Sequence, residues 1–242
     1  MQTSRELEHY FFSIVIPAHN EESGIGATLG AIRKLAYPRD SFETIVVENG
    51  STDRTYELAT AFESDSIRTL RSDKGVSRAK NLGLSHISEK SDWVVFLDAD
   101  THLEPGFLND LNMYFLAHRE RDFVVGTTSI RPIEHTRWSA PIWFTFHNVI
   151  HRFTHTSYSI QIMKASLRDR VRFDESINFS EDTKLIRDAR RFGKFFFVPT
   201  TTVSTSIRRF EQNGWIWQLF IWGGMFIRSK TKRKSDEYPV IR

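Results

Sequence analysis

The sequence predicts an α/β fold built on a mainly parallel sheet. Three observations predict it. Short β-branched and aromatic runs alternate with segments of helical period through the first half of the chain. The runs are almost continuously apolar, as strands buried on both faces are. Several of them finish in acids, amides or histidine, and open α/β sheets bind their ligands beyond the carboxyl ends of the strands.

Each element has its own signal. "FFSIVIP" (Phe11–Pro17) is a β-branched run stopped by proline. In "EESGIGATLGAIRKLAY", Ile25, Leu29, Ile32 and Leu35 recur at a helical period. "FETIVVENG" (Phe42–Gly50) is a second strand ended by Asn-Gly. "STDRTYELATAFES" opens with Ser51 or Thr52 as an N-cap and continues as a helix. "SIRTLRS" is a weak third strand. "GVSRAKNLGLSHISE" is a third helix, with Val76, Ala79, Leu82, Leu84 and Ile87 leaning to one side. "DWVVFLDAD" is the fourth strand, "EPGFLNDLNMYFLAH" a fourth helix with Pro105 near its first turn, and "DFVVGTT" a fifth strand. Such alternation implies right-handed crossovers and helices on both faces of the sheet.

Beyond about Arg131 the pattern weakens into an aromatic- and histidine-rich stretch. "SEDTKLIRDARRFG" is then a helix ending at Gly193, and "KFFFVPTTTVSTS" is a strand pair or an edge strand broken by Pro199. His147, His151 and His155 recur every four residues and could share a helix face. With little carboxylate support, they read as a partly buried aromatic segment rather than a metal site. No Gly/Ser-rich linker or internal repeat divides the chain. The expectation is one domain over residues 1–213, a nucleotide half over about 11–130 and an acceptor half over about 131–213, followed by a segment at 214–242.

Composition narrows the function. The 242 residues are 40% hydrophobic and 26% charged, an ordinary globular mix. There is no cysteine, so disulfides and thiolate metal sites are excluded. The formal charge is +3, but Arg228, Lys230, Lys232, Arg233 and Lys234 lie together, and without those five the remainder is −2. The basic character is therefore local, which argues against a nucleic-acid partner. "MQTSRELEHYFF" lacks the basic start and apolar run of a signal peptide. "GWIWQLFIWGGMFI" (Gly214–Ile227) falls short of a membrane-spanning length. A cytoplasmic protein, peripheral at the membrane if attached to it at all, is the expectation; the oligomeric state is not legible.

The pair Asp98 and Asp100, around Ala99, follows the fourth strand. Carboxylates spaced i, i+2 at a strand end face one way and can hold a hard divalent cation such as Mg2+ or Mn2+, with water and phosphate oxygens completing the shell. Two solvated acids in a turn would read the same. So would haloacid-dehalogenase-type phosphatases, but those carry threonine two places beyond the second acid and Thr101 follows directly. "IVIPAHNEE" and "IVVENGSTDRT" end their strands in groups able to hydrogen-bond a base or ribose, and Asn49 offers both a donor and an acceptor.

Taken in order, Pro17-Ala18-His19-Asn20-Glu21-Glu22, Glu48-Asn49-Gly50-Ser51-Thr52-Asp53, Gly75 to Gly83, Asp98-Ala99-Asp100 and Ser180-Glu181-Asp182 resemble the motifs of family two glycosyltransferases. The resemblance runs from about Ser13 to Phe210. It implies the GT-A fold, a Rossmann-like sheet with an elaborated C-terminal acceptor half, and a nucleoside diphosphate sugar as donor. It also implies that Pro17, Ala18, His19, Asn20 and Glu22 line the nucleotide pocket, with Glu48 and Asn49 toward the base. Lys80 takes an arginine position as a phosphate or base contact, though an ammonium cannot form arginine's bidentate fork. Asp98 would help hold ribose and metal, Asp100 would bind the metal, and Asp182 would be the base that takes the acceptor hydroxyl's proton during inversion. An acid in a helix's first turn is also favoured by the macrodipole alone. Glu181, Arg208 and Arg209 are candidates for acceptor or phosphate contacts. Trp215, Trp217 and Trp222 beside the basic cluster suit a membrane interface over 214–234, which a lipid-linked hydroxyl acceptor would make useful. The competing classes are a metal-dependent phosphatase or nucleotidyltransferase and a non-catalytic nucleotide-sugar-binding protein.

Overall fold

A computed structural model of the chain describes residues 8–133, 139–177 and 180–206. Four parallel strands, β1 (Phe12–Ala18), β2 (Phe42–Asn49), β3 (Ile67–Ser72) and β4 (Trp93–Leu97), alternate with the helices α1 (Ile25–Ile32), α2 (Thr55–Thr60) and α3 (Val76–Ser85). After β4 come a short strand β5 (Thr101–Leu103), helix α4 (Phe107–Ala117), strands β6 (Phe123–Thr128) and β7 (Arg131–Pro132), and helix α5 (Ser139–Thr154). Then follow β8 (Ile160–Lys164), α6 (Glu181–Ala189), β9 (Lys194–Val198) and β10 (Val203–Thr205).

The large sheet has the order β3-β2-β1-β4-β8-β6-β9. β8 runs antiparallel to both of its neighbours, β4 and β6, while β6 and β9 pair in parallel. A second sheet, β5-β10-β7, stands beside it. The expected strand pair around Pro199 is therefore resolved into two roles: β9 is the edge of the large sheet, and β10 is the centre of the small one.

Strand alternation builds two cores, one on each face. Phe12, Ile14, Ile16, Trp93, Val95 and Leu97 pack against residues of α1 and α4. Val15, Val94 and Phe96 point the other way, onto α3 and α6. Gly83 brings α3 close to the sheet, because a Cβ there would stand 2.3 Å from Val15 Cγ1.

α5 is a helix of 16 residues where the sequence showed weak periodicity. Phe144 and His147 are buried on one side, while Phe146, Val149, Ile150 and Phe153 are exposed at i, i+3, i+4, i+7 spacing on another. Apolar groups on both sides blur the amphipathic signal. His155 does not share the face of His147 and His151. It follows the end of α5 with φ 54°, in the left-handed region, and its ring lies 4.7 Å from that of Phe195. Among the described residues no helix is long and apolar enough to cross a membrane.

Candidate active site

Parallel pairing of β1 with β2, through Ala18 opposite Glu48, sets their carboxyl ends side by side. His19 Nδ1 lies 3.0 Å from the Asn49 carbonyl. The following loops are stitched together. Asn20, at φ 54°, accepts at Oδ1 from the Thr52 amide at 2.8 Å and donates its own amide to Ser51 Oγ at 3.1 Å. The Glu22 amide donates to Asp53 Oδ2, and Glu22 Oε2 accepts from the Arg54 amide, both at 3.2 Å. Glu48 is buried, with Oε1 accepting from the Ser51 amide and Oε2 3.3 Å from Arg71 Nε. Pro17, Ala18, His19, Asn20, Glu22, Glu48 and Asn49 thus gather at one edge, as the spacing of the motifs predicts. Asn20, Glu22 and Glu48 spend much of their hydrogen-bonding capacity on holding the loops.

Asp98, Ala99 and Asp100 form the link between the two sheets. The backbone there is a turn, with the Thr101 amide donating to the Asp98 carbonyl at 3.0 Å. The i, i+2 argument for an extended strand therefore does not apply; it is the turn that carries both carboxylates. The Asp98 amide donates to the Ser159 carbonyl at 2.9 Å, Thr28 Oγ1 donates to the Ala99 carbonyl at 2.6 Å, and the Ser206 amide donates to the Asp100 carbonyl at 3.2 Å. These bonds occupy backbone groups, and the two acids stay partly exposed. Two hard oxygen donors fit part of a Mg2+ or Mn2+ shell. Among the described residues no three His, Asp or Glu side chains gather to complete it, so phosphate oxygens and water would have to.

Glu181 and Asp182 open α6 directly after Ser180, which sits at φ 62°. Between them and the sheet lies Lys80, 1% exposed. Its Nζ donates to Asp182 Oδ1 at 2.6 Å, to Gln161 Oε1 at 3.3 Å and to Glu181 Oε1 at 3.4 Å. Burial alone would push the lysine's pKa down, but Asp182, Glu181 and Asp98 carry it above its ordinary value. Burial pushes the Asp182 carboxyl up to about 7, with Glu181 and Asp98 adding to it and Lys80 pulling back. About a fifth of the Asp182 side chain, 22%, remains exposed. Asp98 thus acts electrostatically on both Lys80 and Asp182.

Lys80 is the site residue whose surroundings differ from its expected role. It faces the α6 acids and not the β1–β2 edge. Sequence reasoning missed Gln161, a fully buried amide on β8, though a glutamine inside the apolar run "IQIM" was a signal. It also missed the buried hydroxyls of Thr101, Ser159 and Thr205, which are joined at 3.0 and 3.1 Å behind the acids. Arg208, Arg209 and the whole 214–242 segment lie outside the described residues.

On α5, His147 Nε2 and His151 Nε2 are 2.9 Å apart, and His151 Nδ1 is 2.6 Å from Thr156 Oγ1. Burial and the neighbouring His151 bring the His147 pKa down to about 3. Burial brings that of His151 down to about 4, against a Thr156 hydrogen bond. A small pocket among Tyr10, Trp93, Phe115 and Phe123 opens at the opposite end of the strands, remote from the acids.

The profile described as glycosyl transferase family 2 matches residues 13–191. The minor teichoic acid biosynthesis protein GgaA of Bacillus subtilis is 24% identical over 221 residues, covering 77% of this chain and 46% of its own length. The chain spans less than half the length of the first curated relatives it matches. S. aureus TarS 1-349 in complex with UDP-GlcNAc shares the fold, with TM-score 0.65 at 18% identity, covering 81% of this chain and 58% of that one. The mannosyltransferase PcManGT of Pyrobaculum calidifontis, in complex with GDP-Man and Mn2+, gives TM-score 0.66 at 18% identity, covering 96% and 66%.

Proposed function

The chain belongs to glycosyl transferase family 2, and from that premise we propose that it transfers a sugar, with inversion, from a nucleoside diphosphate sugar to a hydroxyl acceptor. The observation that carries this reading is Asp182, a partly exposed acid raised toward neutral pH, which Lys80 ties to Gln161 on the strand paired with β4, the strand that ends at Asp98. A general base works best when its pKa lies near the operating pH.

In this reading Asp182 takes the acceptor O–H proton as that oxygen bonds to the anomeric carbon. The bond from that carbon to the diphosphate breaks on the opposite face, and the nucleoside diphosphate departs. His19 and Asn49 lie where a base and ribose would be held, with Pro17, Ala18, Asn20, Glu22 and Glu48 forming the walls and their supports. Asp98 and Asp100 would hold Mg2+ or Mn2+, which neutralises charge on the diphosphate. In this reading a single domain over residues 1–213 divides into a nucleotide half over about 11–130 and an acceptor half over about 131–213. The donor class rests on relatives solved with UDP-GlcNAc or GDP-Man; a thermal-shift panel of UDP-, GDP- and dTDP-sugars with manganese would identify the base.

A lipid-linked acceptor at an anionic membrane surface fits two features: the exposed stripe Phe146, Val149, Ile150 and Phe153, and the aromatic and basic 214–234 sequence.

Asp182→Asn tests the reaction. Nucleoside diphosphate release should fall by about 100-fold or more, while donor affinity stays within a few-fold. Normal turnover would mean that another group takes the proton.

A further inference from the structure

We propose that Lys80 is a positioning residue for transfer: it holds Asp182 in place and ionised, and it is not a donor contact. This rests on Asp182 being the base.

The geometry is specific. An ammonium has three donors, and the three oxygens on Lys80 Nζ belong to Asp182, Glu181 and Gln161. The Phe173 ring lies 4.9 Å beneath it. None of its hydrogens is left over for a diphosphate. Because Nζ holds Asp182 Oδ1, the proton would go to Oδ2. α6 has no side-chain N-cap, so its first turn depends on outside contacts for its position.

α3 supplies those contacts in series. Asn81 grips the Phe173 backbone twice, the Phe173 amide donating to Oδ1 and Nδ2 donating to its carbonyl, both at 2.9 Å. Asn81 Nδ2 also donates to Glu175 Oε1 at 3.0 Å, and Arg78 Nε meets Glu175 Oε2 at 3.4 Å. Arg78, Lys80 and Asn81 therefore tether successive points of the chain leading into α6. The segment "SRAKN" acts as a clamp on the acids. Charge supports the same reading. Asp98, Glu181 and Asp182 all raise the Lys80 pKa, so one cation answers three acids. Without it Asp182 would protonate more readily and lose its value as a base.

The test uses the full chain with UDP- and GDP-sugars and manganese, reading nucleoside diphosphate release with water as acceptor, donor affinity by calorimetry, and thermal stability. In Lys80→Met, kcat should fall by about 100-fold with donor affinity within about threefold, and the acidic limb of the kcat–pH profile should move up by about one unit. Lys80→Arg keeps the charge and should recover part of kcat and return the limb toward its place, which keeps the test informative if Lys80→Met does not fold. A donor affinity weakened about tenfold or more at unchanged kcat would overturn the proposal and make Lys80 a donor contact. Unchanged kcat and an unmoved limb would overturn it too. Asp182→Asn separates the readings: if that variant turns over normally, the base assignment fails; if it is inactive while Lys80→Met is normal, only the clamp fails.

Discussion

The paired histidines of α5 predict an acid-sensitive fold. With pKa values of about 3 and about 4, His147 and His151 stay neutral in the folded protein well below pH 6.5, where unfolded histidine takes up a proton. Between pH 6.5 and 5 the unfolded state therefore binds more protons, and stability falls as the pH falls. Each histidine contributes about 1.4 kcal/mol per pH unit, so the pair contributes about 3 kcal/mol per unit. Asp182 acts with the opposite sign. Burial raises its carboxyl above the ordinary carboxylate range, so the folded protein takes up that proton before the unfolded chain does and gains stability on acidification. Wild type should still lose stability on acidification through this window, by less than the pair alone would give. His147→Leu/His151→Gln removes both imidazoles and should remove most of that loss, whatever the substitutions do to absolute stability. Urea unfolding followed by tryptophan fluorescence at half-unit steps measures both slopes. Parallel curves for the two proteins would refute the neutral, buried pair.

Three other outcomes follow from the geometry. Gly83→Ala puts a methyl 2.3 Å from Val15 Cγ1, so α3 must lift; a loss of about 1–3 kcal/mol should appear as a lower Tm, together with reduced turnover because Lys80 moves. Asp98→Asn/Asp100→Asn should abolish the manganese-dependent part of the donor-induced thermal shift, and a shift that stays metal-dependent would place the ion elsewhere. The full chain should co-sediment with phosphatidylserine vesicles, while Ile150→Ser/Phe153→Ser or truncation after Gly214 weakens this; equal binding by both altered forms would exclude a membrane surface as their partner.

The parallel half of the fold was legible because β1, β2 and β4 are apolar runs with their own stop signals, and the crossover helices around the weaker β3 carry a clear period. The clustering of His19, Asn49 and Asp98 at one edge came from the same rule. β8 was not legible. Its five residues lie in aromatic surroundings, and its antiparallel place between β4 and β6 depends on pairings far along the chain. α5 was obscured because it carries apolar side chains both toward the core and toward solvent. Lys80 shows the limit of motif matching. Its position in the chain marked it for attention, but its partner Asp182 stands 102 residues away, and only the packing of α3 against α6 shows which charge it answers.

The insertion of β8 also bears on how the protein is made. During synthesis "WVVFL" of β4 emerges about 60 residues before the strand that pairs with its outer edge. At ribosomal speeds of roughly 5–20 residues per second, that edge is open for several seconds, an apolar template for any other strand nearby. The nascent chain therefore passes through an interval in which holding chaperones have a defined target, and it closes when Ile160 to Lys164 arrive.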